Sequence, residues 1–253
     1  MQLLFKLNDA DCLTRMEFCT RFLNLIDHDA NIIGNLWMSD EAHFYLEGFV
    51  NKQNMRIWGT KIPRENFRQK PFHPVYVTVW AAISKLGIIG PYFFEDAHGS
   101  HISVMAARYH HMLQTFFYPT LPNFPGVQMQ NQWFQQDGST SHTALLPRNW
   151  LLEKFPGRLI SKFSPFNWPA RSPDLSVLDF YLWGALKDCV FSIPVETTQQ
   201  LKHRITTEMN KINLQIIDKA FDNFVKRLHE CLDNNGSHVR NTFHHAAPVV
   251  HIH

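Results

Sequence analysis

Leu13, Met16, Cys19, Phe22, Leu23 and Ile26 fall three or four residues apart, which is the spacing of one helical face. The pattern predicts a helix over residues 9–28, with Asp9 or Asp11 as its N-cap. NLWMSDEAHFYLEG (35–48) reads as a strand closed by Gly48, and NKQNMRIWG (51–59) as its neighbour. The stretch TKIPRENFRQKPFH that follows is a polar loop. In VYVTVWAAIS (75–84), Val75, Val77 and Val79 alternate with Tyr76, Thr78 and Trp80, the clearest strand signal in the chain. Residues 85–87 make a turn and IIGPYFFED returns, so the first strands form an antiparallel meander.

Residues 104–121 predict a helix, with Met105, Tyr109, Met112, Leu113 and Phe116 on one face. WFQQD (133–137) is a short strand ending at Asp137. A helix over 143–155 is expected to be kinked or shortened by Pro147. RLISKF is a further short strand. A loop rich in proline and serine then leads to the helix SVLDFYLWGALKDCVF, and two more helices fill 196–233. Meander, helix, strand, helix, strand and helices together predict an α/β fold, a mixed central sheet with helices on both faces. A single domain over 1–253 is expected, with the helix of residues 1–30 leading into the core and a loose histidine-rich tail at 241–253.

Composition fits this picture. Of the 253 residues 45% are hydrophobic and 13% aromatic, enough for a packed core and against disorder. Cys12, Cys19, Cys189 and Cys231 have no paired spacing, which argues against a disulfide framework or zinc ribbon. No apolar run reaches the roughly 20 residues that span a bilayer, and no secretory leader is visible. The expectation is an intracellular, soluble protein with no membrane partner. A net charge of +2 says little about partners, so the placement of basic residues matters more.

Three aspartates sit where chemistry could be done. Asp40 lies within the first strand, Asp137 ends a later one, and Asp179 opens a helix. The first and the late strand can lie side by side, and a helix can bring the third acid over them. Converging carboxylates repel unless a cation separates them. Mg²⁺ suits a few carboxylate oxygens plus phosphate oxygens, and two ions about 3.5–4 Å apart can serve an in-line displacement at phosphorus. No glycine-rich nucleotide cradle is present, so the phosphate expected is that of a nucleic-acid backbone. Each acid also has a bland role. Asp40 could be a solvated strand-end acid, and Asp137 could nucleate the turn at Gly138. Asp179 could pair with Ser176 in a helix capping box.

SDEAHFYLEGFVNKQNMRIWG, FQQDGSTSHTA and WPARSPDLSVLDFYLWGALKD resemble, in order, the catalytic core of the Tc1/mariner transposases, from about Asp11 to about Asn241. The resemblance implies an RNase H-like fold and a metal-dependent DNA endonuclease that also transfers the freed 3′ end. By motif it implies Asp40, Asp137 and Asp179 as catalytic metal ligands for two Mg²⁺ ions, with Mn²⁺ as a substitute. Asp174 competes for third place. DNA is the implied partner, a homodimer the implied assembly, and the nucleus the implied compartment. Three departures stand out. The helix-turn-helix modules that usually precede the core are not in this sequence. Val177 occupies a position where proline is common. The stretch 138–178 between the second and third acids is longer than in the best-known mariner-type members. The alternative is a catalytically silent, transposon-derived remnant that binds DNA or protein. A nuclease for RNA–DNA hybrids fits the motif wording less well.

For DNA contact the expected group is Lys61, Arg64, Arg68 and Lys70 beside Trp58 and Phe67, cations for phosphates and rings for stacking. Lys154, Arg158, Lys162 and Arg171 flank the path from the second acid to the third. His142, five residues after Asp137, could meet a phosphate, orient a ligand or bond a helix start. Glu41 points to the opposite strand face from Asp40 and reads as structural or solvent-facing. Leu182, Trp183 and Leu186 read as core. The 15 histidines show no zinc-site spacing.

Overall fold

Two parallel and two antiparallel pairings build one sheet, in the order β3-β2-β1-β4-β5. The strands are β1 (Leu36–Tyr45), β2 (Tyr76–Ser84), β3 (Gly87–Phe93), β4 (Trp133–Gln135) and β5 (Leu159–Ile160). This is a computed structural model that describes residues 6–46 and 74–239. The expected strand at 51–59, the basic loop with Trp58, Lys61, Arg64, Arg68 and Lys70, and the tail at 241–253 lie outside the described residues.

β1 pairs antiparallel with β2 from Met38↔Ile83 to Tyr45↔Tyr76, and parallel with β4 only over Leu36–Met38. Strand β2 is covered on both sides, so Val77 to Ser84 are all buried rather than alternately so. Helices α1 (Asp9–His28), α6 (Trp183–Val190), α7 (Thr198–Asn210) and α8 (Leu214–Asp233) close one core with Met38, Phe44, Val79 and Ile83. On the other face α2 (Ala106–Met112) and α5 (Leu145–Lys154) pack on Trp37, Trp80 and Phe134. Among the described residues no helix is long and apolar enough to cross a membrane.

Several expectations shift in detail. Asn8, rather than Asp9 or Asp11, caps α1. Its side chain accepts from the Asp11 amide at 2.9 Å and Asp11 accepts from the Asn8 amide at 3.0 Å, a reciprocal capping box. The buried face of α1 is Arg15, Phe18, Cys19 and Phe22, while Leu13 is 63% exposed. An arginine can lie on the buried face because it is paired there. In α2 the chain widens into a π turn over Leu113–Phe117 before α3 (Tyr118–Thr120). The extra residue carries Phe117, not Phe116, into the core beside Met112. Pro147 does not kink its helix, because Ala144 already separates α4 (Thr140–Thr143) from α5. That places Pro147 in the first turn, where no helical amide bond is lost.

Candidate functional site

The β1–β4 ladder stops at Met38↔Gln135. Beyond it the sheet opens, and Asp40 and Asp137 each lie two residues past the last rung. Asp40 shares a sheet face with Met38, Ala42 and Phe44, toward α6. Trp183 on α6 donates its indole N–H to Asp40 Oδ2 at 2.8 Å. Trp183 is buried, as expected of a core residue, but its polar edge belongs to the site.

Asp137 follows β4 and opens the turn into α4. Its Oδ1 accepts from the Ser139 amide at 2.9 Å and from His142 Nδ1 at 2.6 Å. The expected turn role is therefore real and coexists with placement in the cleft. The Asp137 side chain remains 47% exposed, and the Ser139 hydroxyl also lies beside its carboxylate.

Asp179 sits in a π-helical turn, Leu178–Leu182, that leads into α6. Such turns are frequent at functional sites. Only half of the expected capping box forms. Ser176 Oγ accepts from the Asp179 amide at 3.3 Å, whereas the Ser176 amide donates to the Pro173 carbonyl at 3.2 Å. The Asp179 carboxylate lines the cleft with the Ser176 hydroxyl as its hydrogen-bonding neighbour.

Asp40, Asp137 and Asp179 line one cleft of about 410 Å³, together with Ser39, Gln135, Lys162 and Arg171. Burial, then the negative charge of Asp179, Glu41 and Asp137, pushes the Asp40 carboxyl well above the usual range despite the Trp183 hydrogen bond. Asp179 is pushed up to about 6, first by crowding protein that strips its water, with Asp137 adding to the rise. Asp137 goes the other way. Burial would raise it, but the hydrogen bond and charge of His142 and the Ser139 amide hold it low. Among the described residues no three His, Cys, Asp or Glu side chains already close on one point as metal ligands do. Like charges repel without a cation, and Trp183 and His142 each hold one carboxylate from behind. A hard divalent cation fits this donor set, since it would reverse the repulsion that raises Asp40 and Asp179.

Asp174, the competitor for third place, is taken. It forms a two-point pair with Arg15 at 2.6 and 2.9 Å, accepts the Val239 amide at 2.8 Å, and is fully buried with its partner. Burial would raise its pKa, but Arg15 holds it low. Asp174 anchors the loop before Asp179 to α1 and to the segment after α8.

His142 is a correction as a DNA contact. Its ring is buried, and Nε2 lies 3.1 Å from Glu41 Oε1. Burial works against its charge, but Glu41 and Asp137 lift its pKa to about 10, so the ring donates from both nitrogens. Glu41 does face away from Asp40, as strand alternation requires, yet the open sheet lets His142 reach it. Arg171 lines the cleft and pairs with Asp11, with its backbone at φ 55. Of the other basic residues Lys162 also lines the cleft. Lys154 pairs with Glu153 and Arg158 bonds the Gln132 carbonyl. Sequence reasoning missed Lys187, two turns past Asp179. Burial lowers its pKa while Asp40 and Asp179 pull it up, and its ammonium lies 5.4 Å from the Phe44 ring centre.

No protein-family model matches the sequence, and no curated protein matches it. Solved structures do. The chain superimposes on a Mos1 transposase paired-end complex with left transposon end at TM-score 0.76 and 16% identity, covering 95% of this chain and 66% of that one. A pre-cleavage Mos1 transpososome gives 0.78 and 16%, covering 95% and 67%. The catalytic domain of Mos1 mariner transposase gives 0.70 and 15%, covering 94% of this chain and all of that one. At such identity the likeness establishes the fold: this is the RNase H-like fold of that catalytic domain. The chain spans about two thirds of the longer Mos1 chains.

Proposed function

We propose that this chain is the catalytic part of a DNA transposase that cleaves phosphodiester bonds and joins 3′-hydroxyl ends to target DNA. The observation that carries this reading is that Asp40, Asp137 and Asp179, from three distant segments, line one cleft and raise or oppose one another's charge. The fold and the three-motif resemblance support the same reading. Solved structures with this fold include a paired-end complex and a strand-transfer complex, and others are described with Mn or Mg.

Asp40, Asp137 and Asp179 would hold Mg²⁺, or Mn²⁺ in its place, with two ions as the proposed complement. Bound there, the ions would supply charge neutralisation and Lewis-acid activation at phosphorus. The chain's own residues do the remaining work. Trp183 and His142 fix two of the carboxylates, and Lys162 and Arg171 at the rim offer cations to the DNA backbone. Self-association on paired DNA ends and a nuclear site of action belong to the same proposal.

The test is incubation of the protein with pre-nicked and branched DNA plus Mn²⁺ or Mg²⁺, beside an Asp137→Asn control. Metal-dependent products absent from the control are expected. DNA that is shifted on a gel but never cut would overturn the enzyme reading in favour of a silent DNA-binding remnant.

A further inference from the structure

We infer that His142 is the positioning residue of the site: it spans the opening between β1 and the end of β4 and sets the separation of Asp40 and Asp137. The inference rests on the metal-dependent reading above and concerns what builds the metal site.

The geometry starts where the ladder stops. After Met38↔Gln135 the Ser39 hydroxyl still donates to the Gln135 carbonyl at 2.9 Å. The next amide of that strand, Gln136, turns to the Ile160 carbonyl on the β5 side at 3.0 Å. Among the described residues no backbone hydrogen bond then holds the Asp40 segment to the Asp137 segment. The imidazole of His142 replaces it, bonded at 2.6 Å to Asp137 and at 3.1 Å to Glu41, the residue next to Asp40.

The ring itself cannot drift. It is buried, lies 4.1 Å from the Tyr109 ring centre, and sits in a closed polar network. Tyr109 donates to Gln136 Oε1 at 2.7 Å, and Gln136 Nε2 donates to the His142 carbonyl at 3.1 Å and Ser161 Oγ at 3.0 Å. Both bonds to Asp137, from His142 and from the Ser139 amide, fall on Oδ1. Imidazole suits the task because its two nitrogens lie on separate edges of a rigid ring. Glutamine carries both of its donors on one terminal nitrogen of a flexible chain, so it braces Asp137 and Glu41 less rigidly.

A residue that only fills the core would matter for folding alone. One that positions a ligand changes metal affinity in protein that is still folded, typically by about 10–100-fold. Mn²⁺ affinity would be measured by electron paramagnetic resonance on the full chain, with thermal midpoints alongside. The variants are His142→Ala, His142→Gln and Glu41→Gln. His142→Ala is expected to bind Mn²⁺ at least about tenfold more weakly, with recovery when imidazole is added to refill the space beside Tyr109. His142→Gln and Glu41→Gln should fall in between. Should His142→Ala fail to fold, the two milder variants carry the test. Folded variants that bind Mn²⁺ as tightly as the wild type would overturn the inference and leave the metal reading intact. A wild-type chain that binds no Mn²⁺ would overturn the metal reading, and this inference with it.

Discussion

The indole N–H of Trp183 meets Asp40 Oδ2 at 2.8 Å, tying the first helix turn after the third acid to the strand that carries the first. One residue thereby serves two levels of the structure. Its ring packs with Phe44 in the core, and its single polar atom opposes, without overcoming, the burial that makes Asp40 hold its proton.

Trp183→Phe separates those levels. The ring is kept and the donor is lost, so Asp40 should hold its proton more tightly and compete less well for a cation. The expected result is several-fold weaker Mn²⁺ binding with a thermal midpoint within a few degrees of wild type, read by metal titration and calorimetry. Unchanged affinity would show that the hydrogen bond is incidental.

Stability without metal should depend on pH in a sense opposite to ordinary acid denaturation. Asp179 titrates at about 6 in the fold against 3.8 ordinarily, and Asp40 is raised as well. Between those values the folded state holds more protons than the unfolded one, so stability falls as pH rises through that window. His142, raised to about 10, keeps its full contribution below 6.5 and loses it progressively from 6.5 to 10, so it adds to the decline only above 6.5. His43, His101 and His110, lowered by burial, oppose the decline just below 6.5. Denaturant melts from pH 4.5 to 7.5 should show the decline, and Mn²⁺ should stabilise the protein more at pH 7.5 than at pH 5.

Removing one acid relieves the others. Asp40→Asn is expected to raise the melting midpoint of the metal-free protein at neutral pH while abolishing cleavage. Thermal unfolding beside the nicked-DNA assay checks both halves. A variant that is less stable and inactive would point to a structural role for Asp40.

The Arg15–Asp174 pair makes the opposite prediction. Both groups are fully buried, and breaking one side leaves an unpaired internal charge, which costs about 3–5 kcal/mol. Asp174→Ala should unfold at markedly lower denaturant concentration, whereas Asp179→Asn should not.

Much of this was legible in the chain. The run of β-branched and aromatic residues located β2, although its burial is continuous and not alternating, and period-3.6 spacing located α1, where burial does repeat with the backbone. The three acids could be singled out by motif, Asp40 within a strand, Asp137 just past the end of one and Asp179 at the start of a helical turn. What the sequence hid is what depends on distance in space. Arg15 reads as a polar break in an apolar face until Asp174 lies beside it, 159 residues away. Glu41 reads as a solvent-side neighbour of Asp40 until the short β4 leaves the sheet open for His142. The π turns at Leu113–Phe117 and Leu178–Leu182 shift the helical phase by one residue, a change that periodicity cannot register. The spacing Asp-x-x-x-x-His, with Gly138 and Ser139 making the turn between, was the one local clue to the bond between Asp137 and His142.

The most direct measurement is anomalous X-ray scattering from crystals of the protein soaked in Mn²⁺. Anomalous density is predicted in the cleft, with carboxylate oxygens of Asp40, Asp137 and Asp179 drawn to about 2.0–2.1 Å from it, the distance at which Mg²⁺ takes oxygen ligands, or slightly beyond for the larger Mn²⁺. Saturating Mn²⁺ with no density there, or density bound elsewhere while the three acids stay apart, would contradict it.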